Sequence, residues 1–338
     1  MTPLYQRWQE LQSTAPRTRI RDAAARLGVS EAELLQSRPD GVQRLASEPR
    51  PILKALGEVG RTMVLTRNDS CVHERKGRFE KVSVRGHVGL VLGPDIDLRL
   101  FLSQWAVAFA VETESRGAPL HSIQFFDAHG DAVFKVYLDR EEGDLDAWQQ
   151  LIQTHAAALP PFVATPRAEL ADVVDSDVPE AFFEEWAALK DTHDFFGMLR
   201  KHGVARLAAL RAAQGRFTEP LDRQAPTAIL EQASEQNLPI MVFVGNPGCI
   251  QIHTGRVSRI APIQGWINVL DPDFNLHLRT DSPAEAFLVR KPTADGVVTS
   301  VELLDPQGRV IVQFFGARKP GIPEDPRWRA LAEGLVAG

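Results

Sequence analysis

Phe182, Trp186, Leu189, His193, Phe196 and Arg200 step by four, three, four, three and four. That spacing predicts one stripe along a helix. A histidine amid aromatic neighbours is ordinarily a core residue. Here Gly197 follows one turn after His193, where a missing side chain leaves room for a flat ligand, and Arg200 and Arg206 stand nearby for anionic groups. An imidazole, an apolar wall and cations are what a haem requires: an axial ligand, a dry face and partners for its propionates.

The elements that must hold this stripe are a helix from AFFEEWAALK through DTHDFFGMLRKHG, a break at Gly203 and a second helix. Around them lie 338 residues, 44% apolar and 24% charged, enough for two domains with full cores. The net charge of -6 argues against non-specific nucleic-acid binding. Cys71 and Cys249 are far apart and lack CxxC spacing, which excludes a disulfide framework, a four-cysteine zinc site and covalent haem attachment. None of the nine histidines forms an HExxH pair, and the chain holds no Walker loop, GxSxG elbow or GxGxxG turn. The opening MTPLYQRWQELQ lacks an apolar signal core, and no apolar run reaches membrane-spanning length, so the expectation is a cytoplasmic protein without membrane insertion.

Residues 4–58 read as helical, and RIRDAAARLGVSEAELLQ within them as helix, turn, helix. Such a pair at residues 17–36 could read DNA, which makes a DNA-binding regulator the alternative from another class. The commoner role is packing on a sheet. Residues 61–138 alternate with period two and read as strands, and DREEGDLDAWQQLIQTHAAAL reads as a closing helix.

The second half repeats this order. MVLTRNDSCVHE at 63 matches MVFVGNPGCIQI at 241, so Asn68 and Cys71 recur as Asn246 and Cys249, 178 residues on. FFDAHGDAVFKVYL at 125 matches LLDPQGRVIVQFFG at 303, Trp148 answers Trp328, and RLGVSEAELL answers KHGVARLAAL. A fixed-offset repeat predicts a tandem duplication. The expected fold class is α+β, each half a large antiparallel sheet flanked by helices. The expected division is an N-terminal repeat over 1–160, a Pro-rich acidic linker over 161–179 and a C-terminal repeat over 180–338. Departures from the symmetry single out residues: Arg99 faces His277, His73 faces Gln251, and His193 falls near Thr18, which ligates iron poorly. One principal ligand site in the second half follows. His73 is the other candidate iron ligand, although its position predicts an exposed strand residue.

IMVFVGNPGCIQIHTG, INVLDPDFNLHLR, VRKPTADGVVTSVELLD and DTHDFFGMLRKHG are similar to segments of the bacterial cytoplasmic hemin-transport and hemin-degrading proteins of the HemS/HmuS/ChuS/PhuS type. The resemblance runs over nearly the whole chain. It implies one non-covalent haem b, bound in a cleft beside the helices of the C-terminal half. It implies His193 as the axial ligand and Arg99 on the distal side, the one residue placed near the chemistry. Arg206, Lys291 and Arg318 are implied as propionate partners, and Phe101, Phe196, Met241 and Phe243 as apolar contacts. Phe315 stands where some members carry Tyr, and Gln313 is close enough to replace that hydrogen bond. The function implied is receipt of imported hemin for trafficking and oxidative degradation in iron acquisition, or else carriage of intact haem to a separate oxygenase. The partners implied are hemin, a haem importer, and an oxygenase or reductant.

Overall fold

The same local device shapes a helix pair in each repeat. In the first, Ile20–Leu27 ends at Gly28, whose φ of 70° lies in the left-handed region. Ser30 then opens Glu31–Gln36 with a capping box shared with Glu33. In the second, Asp194–His202 ends at Gly203 with φ 64°, and Arg206–Ala212 follows. Glycine reaches this backbone region without the steric cost of a Cβ, so both pairs turn at the same place.

The computed structural model describes residues 2–319 and 321–336. They divide into two units. The first comprises residues up to Arg67, Glu74–Ala168 and Asn246–Gln251; the second comprises Asn68–His73, Glu169–Gly245 and the residues from Ile252 onward. Residues 157–179 carry no helix or strand.

Unit 1 is built on an antiparallel run of strands in the spatial order Val42–Arg44, Val107–Ser115, Ala118–Phe126, Ala132–Gly143 and Gly60–Arg67. Unit 2 repeats it with Thr218–Leu221, Glu285–Thr293, Gly296–Leu304, Val310–Gly316 and Ile240–Asn246. The α+β duplication is therefore present strand for strand. Residues 4–58 depart from the helical expectation at Val42–Arg44, which pairs with Phe109, Ala110 and Val111 as an edge strand. In unit 1, Ala32 and Leu35 of the helix pair pack against Val107, Phe109, Val111 and Phe126 of the sheet. The closing helices Leu145–His155 and Pro326–Gly334 each bury their tryptophan, Trp148 or Trp328.

The repeated Asn and Cys have a physical reason. Asn68 donates from Nδ2 to the carbonyls of Gly245 and Ile311 and accepts at Oδ1 from the backbone of Ser70 and Cys71. Asn246 makes the equivalent four bonds, to Arg67, Val133, Gly248 and Cys249. Each turn thus belongs to the unit built mainly from the other repeat, and Cys71 and Cys249 are carried into those two cores. Neither cysteine is in a disulfide, both are fully buried, and burial pushes the Cys249 thiol up to about 12. So raised, the Cys249 thiol is not a thiolate nucleophile at neutral pH. Asn246→Ala removes all four side-chain bonds and leaves carbonyls without a donor, so unfolding free energy is expected to fall by about 2–3 kcal/mol. A urea midpoint equal to that of the parent chain would refute this role for the turn.

Candidate functional site

His193 begins a helix; it does not lie within one. Glu180–Ala187 buries Phe182, Phe183 and Trp186, and the helix then ends at Ala188. Asp191 Oδ1 accepts from the backbone N of His193 at 2.9 Å and from its ring Nδ1 at 2.6 Å. Asp194–His202 restarts with His193 as its N-cap. This restart resets the helical phase. The buried face of the new helix is Phe195, Met198 and Leu199, spaced three and four apart, and the expected stripe through His193 and Phe196 is not continuous. Leu189 stays in the apolar cluster, whereas Phe196 is 63% exposed and the His193 side chain 88% exposed. A Cβ on Gly197 would meet nothing within 4 Å, so the space expected there is present.

Asp191 gives that open imidazole a defined chemistry. Its carboxyl is held below the usual range by the backbone N–H of His193 and by the ring, with the Arg318 charge a smaller cause. A carboxylate on Nδ1 orients the ring and leaves Nε2 as the nitrogen for a ligand, an arrangement found around metal-binding histidines. Asp191 was not singled out from the sequence. Its signal was the DxH spacing.

The sheet of unit 2 supplies the rest. Directly paired residues on antiparallel strands share a face. Met241 faces Phe315, which faces Ser300; Phe243 faces Gln313, which faces Glu302. Ser300 faces Val289, Glu302 faces Phe287, and Val298 faces Lys291. Four expected site residues, Met241, Phe243, Lys291 and Gln313, therefore line one face with Phe315. Helices cover it at Phe287 and Val289, which pack with Phe195, Leu199, Leu207 and Leu210. Met241, Phe243, Gln313 and Phe315 remain half-buried, with the Phe243 and Phe315 rings 5.0 Å apart. The opposite face, with Val242, Val301, Val312 and Phe314, belongs to the main apolar core.

Arg206 and Lys291 are brought together on this face around a residue the sequence reading passed over. Glu302 is fully buried; its Oε2 accepts from Arg206 Nε at 2.8 Å and Nη2 at 2.6 Å, and its Oε1 from Lys291 Nζ at 2.7 Å and Ser300 Oγ at 3.0 Å. Both cations also lie over the Phe195 ring, at 4.7 Å for Lys291 and 5.2 Å for Arg206. Burial opposes ionisation of Glu302, but the two cations override it and hold its carboxyl at about 2. Burial pushes the Lys291 ammonium below its usual value. A glutamate alternating with Val301 and Leu303 in a buried strand was the available clue.

Arg318 stands apart from this cluster, 3.8 Å from Asp295. Arg99 and Phe101 belong to unit 1, on Asp97–Phe101. Leu98 and Leu100 are buried on one face while Arg99 is half-buried on the other, paired with Asp97. His73 overturns the expectation of exposure. It is fully buried with its ring 5.0 Å from that of Phe274, because Asn68–His73 runs into the core of unit 2. Among the described residues no group of three or more His, Cys, Asp or Glu could hold a metal ion, and no helix is long and apolar enough to cross a membrane.

An outward imidazole beside a half-open apolar sheet face and two cations paired on a buried glutamate directs the comparison with known proteins. Residues 28–155 and 203–335 each match the haemin-degrading HemS.ChuX domain. The chain belongs to this family. The hemin transport protein HemS of Yersinia enterocolitica is 40% identical over 96% of this chain and 95% of its own. Holo-PhuS, a heme-binding protein from Pseudomonas aeruginosa, superposes with a TM-score of 0.94 at 50% identity, covering 98% of both chains. The heme degrading enzyme ChuS of Escherichia coli O157:H7 superposes with a TM-score of 0.90 at 39% identity, again over 98% of both.

Proposed function

We propose that the protein is a cytoplasmic hemin-binding protein that receives imported hemin for trafficking and oxidative degradation, holding one non-covalent haem b through His193. The observation that carries this is the Asp191–His193 pair, an oriented imidazole with its Nε2 open to a ligand. The residues present fit the group. His193 offers an imidazole nitrogen, Gly197 leaves space beside it, and Phe196, Met241, Phe243 and Phe315 offer apolar contact. Arg206 and Lys291 offer charge to the propionates, and Gln313 offers an amide on the same face. Arg318 is assigned to the same anionic groups. Bound haem supplies an iron centre with redox chemistry. Arg99 is the residue the resemblance assigns to the distal side, where a guanidinium donates hydrogen bonds and neither ligates iron nor acts as a base.

Hemin should bind at least tenfold more tightly than its dimethyl ester, since each desolvated charge-assisted bond contributes about 1.5–3 kcal/mol. Equal affinities would remove the propionate role of Arg206, Lys291 and Arg318. An absorbance time course of the hemin complex with a reductant and catalase tests the chemistry. Degradation that survives catalase, and that slows in Arg99→Ala while binding holds within a few-fold, is the expected result. Intact haem throughout would leave a carrier, a role the exposed His193 also suits.

A further inference from the structure

We propose that Glu302 is a positioning residue for a ligand carboxylate, aiming the Arg206 guanidinium toward the site. This rests on the hemin reading above. The carboxylate is saturated, each oxygen taking two donors: Oε2 from Arg206 Nε and Nη2, Oε1 from Lys291 Nζ and Ser300 Oγ. A guanidinium is planar and rigid, so fixing Nε and Nη2 on one oxygen also fixes the direction of the third nitrogen. Among the described residues Nη1 makes no hydrogen bond, and the Arg206 side chain, 19% exposed, is the most accessible of the three charges. The charges acting on Lys291 are those of Glu302 and Arg206, so two cations share one anion and the cluster keeps an unbalanced positive charge. An incoming carboxylate would meet that charge at Nη1 without displacing Glu302.

Unit 1 shows the same positions without this device. The residue matching Glu302 is Gln124, and Glu31, third after the left-handed Gly28 as Arg206 is third after Gly203, pairs with Lys135. The acid sits on the helix and the base on the sheet, so no cation is presented from the helix. Gln124 is buried in its place, which shows that this strand position accommodates an amide.

The test compares hemin with hemin dimethyl ester by absorbance titration in the full chain, for wild type, Glu302→Gln, Lys291→Met and the double variant Lys291→Met/Glu302→Gln. The readout is the ratio of the two dissociation constants. Glu302→Gln should lose at least fivefold of the wild-type preference for the free acid while its Soret band stays unchanged. The double variant leaves one half-buried cation and an amide, which folds more readily than two unpaired cations. It should lose preference relative to Lys291→Met alone. A purely structural Glu302 would weaken both ligands by one factor and leave the ratio fixed, which overturns the proposal. A ratio that rises in Glu302→Gln would mean that Glu302 only cancels charge, and overturns it too. Wild type binding both ligands equally would refute the propionate reading itself. Wild type preferring the acid, with both Glu302 variants unchanged, refutes Glu302 alone.

Discussion

Replacing His193 with alanine is expected to weaken hemin binding by at least a hundredfold and to shift the Soret band away from that of wild type. The reason is local. The ring is held by Asp191 through Nδ1 at 2.6 Å, it is 88% exposed, and it begins the helix Asp194–His202, so its removal costs little packing. Thermal unfolding of the ligand-free variant should therefore match wild type closely, which separates loss of the ligand from loss of the fold. Asp191→Asn should fall between them, since the amide retains a hydrogen bond to Nδ1 but not the charge that raises ligand basicity. Wild-type spectra and affinity in His193→Ala would remove the axial assignment. His73 would then have to serve, and its complete burial would require unit 2 to open.

The largest effect on stability is expected at Glu302. Glu302→Ala leaves the buried Lys291 and the half-buried Arg206 without their counter-ion, and breaking a buried pair from one side costs about 3–5 kcal/mol. The pH dependence has a definite sign. The folded carboxyl is held at about 2, below its unfolded value, so the unfolded chain binds the proton more readily. The stabilisation from ionised Glu302 is complete above about pH 4.5, the unperturbed range of a glutamate. It is lost as pH falls toward 2. Urea unfolding of wild type and Glu302→Ala should therefore differ most near neutral pH and converge on acidification. A gap that stays constant from pH 7 to 2.5 would show that Glu302 is not the ionised centre of this cluster.

Much of the architecture was written in one dimension. The 178-residue offset that aligns Asn68 and Cys71 with Asn246 and Cys249 predicts two equivalent sheets, and both units show the same strand order. Leu98 and Leu100 lie opposite Arg99 because successive side chains on a strand point to opposite faces, which the alternation of DLRLF already encodes. The unusual position of His193 was also legible, since its counterpart near Thr18 has no comparable chemistry.

Three features depended on tertiary structure. The helical stripe through His193 failed because one helix ends at Ala188 and the next starts at His193, whose backbone and ring donate to Asp191, and a break of a few residues turns the following helix to a new phase. Phe195 is buried in place of Phe196 as a result. Asn68–His73 and Asn246–Gln251 each join the unit built mainly from the other repeat, which carries His73 into a core. Local patterning records only which residues prefer burial, not which core receives them. Glu302 is the clearest case. Its partners lie 11 and 96 residues away, joined by a hairpin register and by a helix docked across the sheet. Burying a charge is tolerable only with such partners in place. No periodicity along the chain encodes the pairing, and it appears only when strands and helix meet.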